Sequence, residues 1–188
     1  MACLSDTAAD IAADSGSHVR FARFRGDGWQ MLLPEAGTAL RAALRVIAAL
    51  TAADQGFATR IGVGLGAADL PADGALSAGR GQAFLDAGDT LDRLTEPDRL
   101  SFGQAGGPAL PVIVALIDWQ ARNWTAPQAE ALFEALRHNP PTQAEIAARF
   151  GISRQAVGLR LGGTALSALR DAIGYFEDNV RTLHETAR

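Results

Sequence analysis

The stretch TQAEIAARFGISRQAVGLRL, Thr142 to Leu161, decides how the chain is read. Thr142 and Glu145 have the spacing of a capping box, in which hydroxyl and carboxylate each satisfy an orphan amide at a helix start. Pro140 and Pro141 forbid an earlier start. Ile146, Ala147 and Phe150 form an apolar face, with the small Ala147 where a second helix would cross. Gly151 stands where a left-handed residue is needed to end the helix. Ile152 is expected to plug the turn, and Ser153 is a favoured N-cap for a second helix. That helix would bury Ala156, Val157 and Leu161 and expose Arg154, Gln155 and Gly158, with Arg160 at its flank. An ordinary helical hairpin would satisfy one or two of these conditions. Together they are the requirements of a helix-turn-helix that reads double-stranded DNA. The expected DNA-contacting residues are Thr142, Gln143, Ser153, Arg154, Gln155, Gly158 and Arg160.

The objection is charge. The whole chain, 188 residues long, carries a formal net charge of −4. Between Arg137 and Arg170, however, five arginines face one acid, Glu145, so this window is +4 and the remainder −8. This count predicts a basic reading head with the acidity kept elsewhere, as phosphate contact requires. All 17 basic residues are arginine, a bidentate ligand for phosphates and base edges.

Working outward, residues 125–140 predict a preceding helix with Ala129, Leu132, Phe133 and Leu136 apolar. Residues 163–183 predict a following one with a stripe of Leu166, Leu169, Ile173, Phe176 and Val180. The stripe suits either a core or a dimer seam. The boundary with an N-terminal unit is placed at 120–126. That unit begins, after an acidic arm or short helix over 1–17, with a β-hairpin over 18–33 turning at Gly26-Asp27-Gly28. A helix over 35–54, a strand over 57–69, a helix over 81–94, a short strand over 98–103 and a helix over 106–124 follow. The strand alternates Ile61, Val63 and Leu65 with Gly62, Gly64 and Gly66. Such a glycine face implies very close packing, by a helix in preference to a ligand. The order suggests a mainly antiparallel sheet with helices on one face.

The single cysteine, Cys3, forms no intrachain disulfide, and the three histidines are far apart, so no metal site and a reducing cytosol are expected. The longest apolar run, Pro108 to Ile117, is too short to span a bilayer. No residue set for nucleophilic catalysis is visible.

FRGDGWQMLL, ATRIGVGLG and GQAFLDAGDTLDRL, in this order, resemble a nucleotidyl-cyclase-type domain. With Gly81-Gln82-Ala83-Phe84, Leu91-Asp92 and the C-terminal motif, the chain is similar to the SatD-like family of bacterial proteins over roughly residues 19–165. The resemblance implies an α+β fold: a ferredoxin-like, nucleotidyl-cyclase-like antiparallel sheet over 18–122, followed by an all-α helix-turn-helix unit over 123–188. It also tests for catalysis. An active cyclase holds two metal ions on paired aspartates; Asp27 matches the second. The 26 residues before it hold no convincing strand to carry the first, and the family's first strand is expected to be missing. The helix positions for an Asn and an Arg hold Leu85 and Asp89, and an aspartate there has the wrong sign for developing negative charge. The expectation is a catalytically inactive, cofactor-free domain used for dimerisation or ligand sensing, in a homodimeric DNA-binding regulator of the cytoplasm. The alternative is a nucleotide-binding sensor or residual cyclase-like enzyme whose C-terminal helices make protein contacts.

Overall fold

The computed structural model describes residues 2–24, 26–53, 59–103 and 107–186. The outermost positions of several predicted elements (54, 57–58 and 106) lie outside the described residues. The fold is α+β. Helix α1 (Ala2–Ser15) precedes the hairpin β1 (Arg20–Phe24) and β2 (Gly28–Leu32). A short 3-10 turn leads into α2 (Ala39–Ala52), then β3 (Ile61–Val63), α3 (Gln82–Arg93) and β4 (Leu100–Phe102). After β4 come, among the described residues, five helices: α4 (Leu110–Ala121), α5 (Ala126–Ala135), α6 (Gln143–Phe150), α7 (Arg154–Gly162) and α8 (Leu166–Thr186).

The acidic N-terminal segment takes its helical option: Leu4, Ala8 and Ile11 of α1 are buried, and α1 packs on α2. The expected antiparallel sheet is replaced by two small ones. β1 pairs antiparallel with β2, with Ala22 opposite Gln30, and β3 pairs parallel with β4, with Gly62 opposite Ser101. The parallel pairing has a simple cause. A helical crossover, α3, separates β3 from β4 and returns the chain to the same end before the second strand begins.

The glycine face of β3 is explained by α3. A Cβ on Gly62 would lie 2.6 Å from the Ala87 carbonyl oxygen, and one on Gly64 would overlap the Ala83 carbonyl and the Ala87 nitrogen. The opposite face, Ile61 and Leu65, enters the main core with Leu40, Leu44, Leu100 and Phe102. This core also takes Ala129 and Leu132 from α5, its C-cap Leu136, and Leu169, Ile173, Phe176 and Val180 from α8. One apolar cluster therefore holds side chains from both sides of residues 120–126, and the α8 stripe is core. Asp118 of α4, 2% exposed, accepts the Arg99 amide at the entry to β4 and pairs with Arg122 at 3.6 Å. Burial raises its pKa, opposed by the amide and by Arg122.

Gly64→Ala is expected to destabilise the protein by about 1–3 kcal/mol, because the new methyl meets backbone and not a movable side chain. Gly88→Ala, on the same α3 with nothing within 4 Å of a Cβ, is expected to be neutral or stabilising. Urea unfolding of the two variants measures the contrast, and equal effects would refute the close-packing account.

Candidate nucleic-acid interface

The α6–α7 pair is built as its residues require. Thr142 is the N-cap of α6: its hydroxyl accepts the Glu145 amide at 3.3 Å, and its own amide donates to Glu145 Oε2 at 2.7 Å. The Thr142 hydroxyl donates to the same carboxylate at 2.8 Å. These donors, the backbone amide first, hold the Glu145 carboxyl below its usual range. Gly151 ends α6 with φ 64° and ψ 33°, a left-handed position open to glycine without strain. The Ile152 amide then donates back to the Ala147 carbonyl at 3.1 Å, closing the turn. Ser153 caps α7 by accepting the Ala156 amide at 3.1 Å. A second cap stands upstream, where Thr125 and Gln128 form a capping box at the start of α5; the Thr-x-x-Gln spacing carried that signal.

A second, smaller core sits beneath this pair. Ala131 and Ala135 of α5, Ile146 and Ala147 of α6, and Val157 and Leu161 of α7 are buried together, with Phe150 and Ile152 against them. The alanines let three helices approach closely. Gly158 lies where its Cβ would sit 3.6 Å from Gln143 Oε1, so the two expected contact residues adjoin across the helix pair. Thr142, Gln143, Ser153, Arg154 and Gln155 are exposed and Gly158 is half-buried. Leu159 is 79% exposed on the same helix. Sequence reading passed over it because an apolar residue in a helix ordinarily counts toward the core.

The basic window is not free of acids. Arg160 pairs with Glu130 at 3.1 Å. Arg149 and Arg137 converge on Glu134 at 2.6 and 2.7 Å. Arg137 also donates to Asp10 at 2.8 Å, and Arg170 donates to the Ala135 carbonyl at 3.2 Å. Of the five arginines counted in the window, Arg154 alone has no hydrogen bond or ion pair among the described residues. The expected segregation of acid from base is thus corrected: Glu130 and Glu134, just before the window, and Asp10, far before it, fold against the arginines.

The same network reaches a buried cation. Arg45 of α2 is 1% exposed and bonds Asp10 and, at 2.9 Å, Asp14; its guanidinium lies 4.5 Å over the Phe133 ring. Burial lowers the Arg45 pKa, while Asp10 and Asp14 raise it. The pKa of Arg137 is raised, chiefly by its hydrogen bond to Glu134. Asp14 accepts the His138 amide at 2.8 Å as well, so α1 is tied both to α2 and to the end of α5.

The residues tested for cyclase chemistry are exposed. Asp27 is exposed in the hairpin turn, where the positive φ belongs to Gly26 (76°) and not to Asp27. Leu85 is 64% exposed on α3, and Asp89 is exposed too. Among the described residues no three His, Cys, Asp or Glu side chains are grouped to hold a metal ion, and no helix is long and apolar enough to cross a membrane. No family model, curated protein or solved structure matches the chain.

Two outcomes are expected. Arg45→Met leaves Asp10 and Asp14 without their buried cation and should cost about 3–5 kcal/mol in urea unfolding. Adding Asp10→Asn and Asp14→Asn should restore part of the loss, and no restoration would refute the charge-pair account. The lowered Glu145 pKa means that its stabilisation is complete above the ordinary value of 4.5 and vanishes as pH falls through the folded value. The melting temperatures of wild type and Glu145→Gln should therefore differ at neutral pH and converge in acid; a pH-independent difference would remove the charge from the cap.

Proposed function

We propose that the chain is a DNA-binding transcriptional regulator whose α6–α7 pair is a helix-turn-helix. One observation carries this reading. Two capped helices meet at a left-handed glycine, and the outer start of the second presents Arg154 and Gln155 while Val157 and Leu161 anchor it from behind. That geometry offers the early residues of α7 to a major groove, with the polar start of α6 beside them. Arg154 suits guanine and Gln155 suits adenine. The exposed Leu159 suits a thymine methyl group. Arg160, held by Glu130, is read as a phosphate ligand only after exchanging that partner, which lowers its share of affinity. The upstream α+β part, resembling an inactive cyclase-like domain of the SatD-like kind, serves as scaffold or sensor in this reading.

Selection of genomic duplex fragments on the purified chain is the direct test. Enriched sequences should bind with an affinity that falls with salt at a log–log slope of about −0.9 per phosphate contacted. Gln155→Ala should lose about 1–3 kcal/mol on the enriched site and little on random duplex. Equal losses on both, or no enriched duplex at low salt, would reject the reading.

A single such motif reads few base pairs, so we propose a homodimer. The α8 stripe, the seam expected from sequence, is occupied by the core, and the glycine face of β3 is covered by α3. Among the described residues an apolar stripe is left open on α4, Val112, Leu116 and Trp119, each at least 60% exposed and spaced as one helix face. It adjoins the α7–α8 junction, where Gln120 donates to the Gly163 carbonyl at 3.4 Å. Light scattering should give twice the 19.7 kDa chain mass for the wild type and the monomer for Leu116→Glu. A monomeric wild type would exclude this assembly.

A further inference from the structure

The hairpin and the parallel pair stand on either side of a trough of about 500 Å³, within the range of roughly 300–1,000 Å³ that holds ligands. Its walls are two strand edges, with Ala83, Phe84 and Ala87 of α3 beside them. Successive residues Trp29 to Leu33 line it from the β2 side and Arg60 to Gly66 from the β3 side, whereas β1 contributes only Phe24 and β4 nothing. Alternate residues of a strand point to opposite faces, so an unbroken run of lining residues marks an edge and not a face.

Among the described residues both edges lack a partner strand: β2 pairs with β1 alone, and β3 with β4 alone. In β3 the Ile61 amide donates to the Arg99 carbonyl at 2.6 Å, and Val63 accepts the Gly103 amide at 2.8 Å. Backbone groups of successive strand residues point to opposite sides, so the N–H and C=O of Gly62 point away from β4, into the trough. Gln30 Oε1, also at the trough, is buried with no hydrogen-bond partner among the described residues. The floor on α2 is made of Ala39, Ala42, Ala43 and Val46. Such small side chains leave the filling of the space to whatever enters.

We propose that this trough is a binding slot for an extended apolar peptide strand from another polypeptide, which hydrogen-bonds to β2 and β3 at once and joins the two sheets. The edge backbone decides the class of occupant. An oily small molecule would fill the volume but leave the edge amides and carbonyls, those of Gly62 among them, unpaired, each a cost once water is excluded. A strand supplies donors and acceptors on both of its edges and apolar side chains toward the alanine floor. β2 spans five residues, roughly 17 Å of strand, so the occupant needs about five residues. Its centre is uncharged, since the one cation in the lining, Arg60, donates to the Leu94 carbonyl at 3.0 Å. This proposal does not depend on DNA binding and fails or stands separately from it.

The test is selection of a displayed library of random linear peptides on the full chain, followed by amide hydrogen exchange with the enriched synthetic peptide. The expected result is an enriched apolar, β-branched core. Binding should slow exchange at Gly62 and at alternate residues between Gly28 and Leu33. Methylating alternate backbone nitrogens of the peptide should weaken binding roughly tenfold or more, because several hydrogen bonds are lost along one edge. No enriched peptide, protection confined to one edge or to other surfaces, or unchanged binding of the methylated peptide would overturn the proposal. Octanoate is the arm for the oily alternative: if it saturates the trough and peptides do not compete with it, the slot is a small-molecule site.

Discussion

A guanidinium buried without counter-charges would be intolerable, and Arg45 organises much of this molecule around that constraint. Asp10 and Asp14 of α1 must reach it, so the N-terminal helix is drawn onto α2 by charge as well as by Leu4 and Ile11. The ring of Phe133 on α5 covers the cation, and Arg137 approaches the same ring at 5.9 Å. Arg137 carries the network onward to Glu134, and Glu134 to Arg149 on α6. Four helices are thus registered by alternating charges, each partner limiting where the next can sit. Such pairs contribute less to net stability than to the cost of alternatives, because any packing that separates them leaves a charge buried and unpaired.

The two apolar clusters divide the labour of the C-terminal helices. α5 faces both ways: Ala129, Leu132 and the C-cap Leu136 belong to the main core, Ala131 and Ala135 to the small core beneath α6 and α7. A helix with apolar residues on two faces is a wall shared by two rooms, and it makes the α6–α7 pair an outwork of the main body and not a tethered bead. The pair is held by few large side chains, with alanines between them. Its geometry therefore rests heavily on the caps and on Gly151, which set where each helix begins and ends.

The sheet follows a different logic. α3 lies so close on Gly62 and Gly64 that this face of β3 has no room for side chains, while Ile61 and Leu65 secure the other face in the core. The hairpin β1–β2 is left as a separate ribbon, with Phe21 and Trp29 stacked at 6.3 Å on neighbouring strands. Two-stranded ribbons are marginal alone, so the hairpin depends on its packing against the body.

The features that the sequence determined by itself are those whose causes lie within a few residues. The Thr142–Glu145 box, the left-handed Gly151 and the Ser153 cap each act over one helical turn, and the alternating glycines of β3 announce a close neighbour because nothing else tolerates them. The helix periodicities of α2, α3 and α5 are equally local. What only the tertiary structure decided depends on partners far apart in the chain. The split of the strands into an antiparallel and a parallel pair turns on which edges meet, and strand patterns carry no address for their partners. The assignment of the α8 stripe to core and of the α4 stripe to solvent turns on which surface is already taken. The charge of the α6–α7 face was legible as a count but not as a field: Asp10 meets Arg137 across 127 positions, and Coulomb attraction acts through space that a sequence window does not contain.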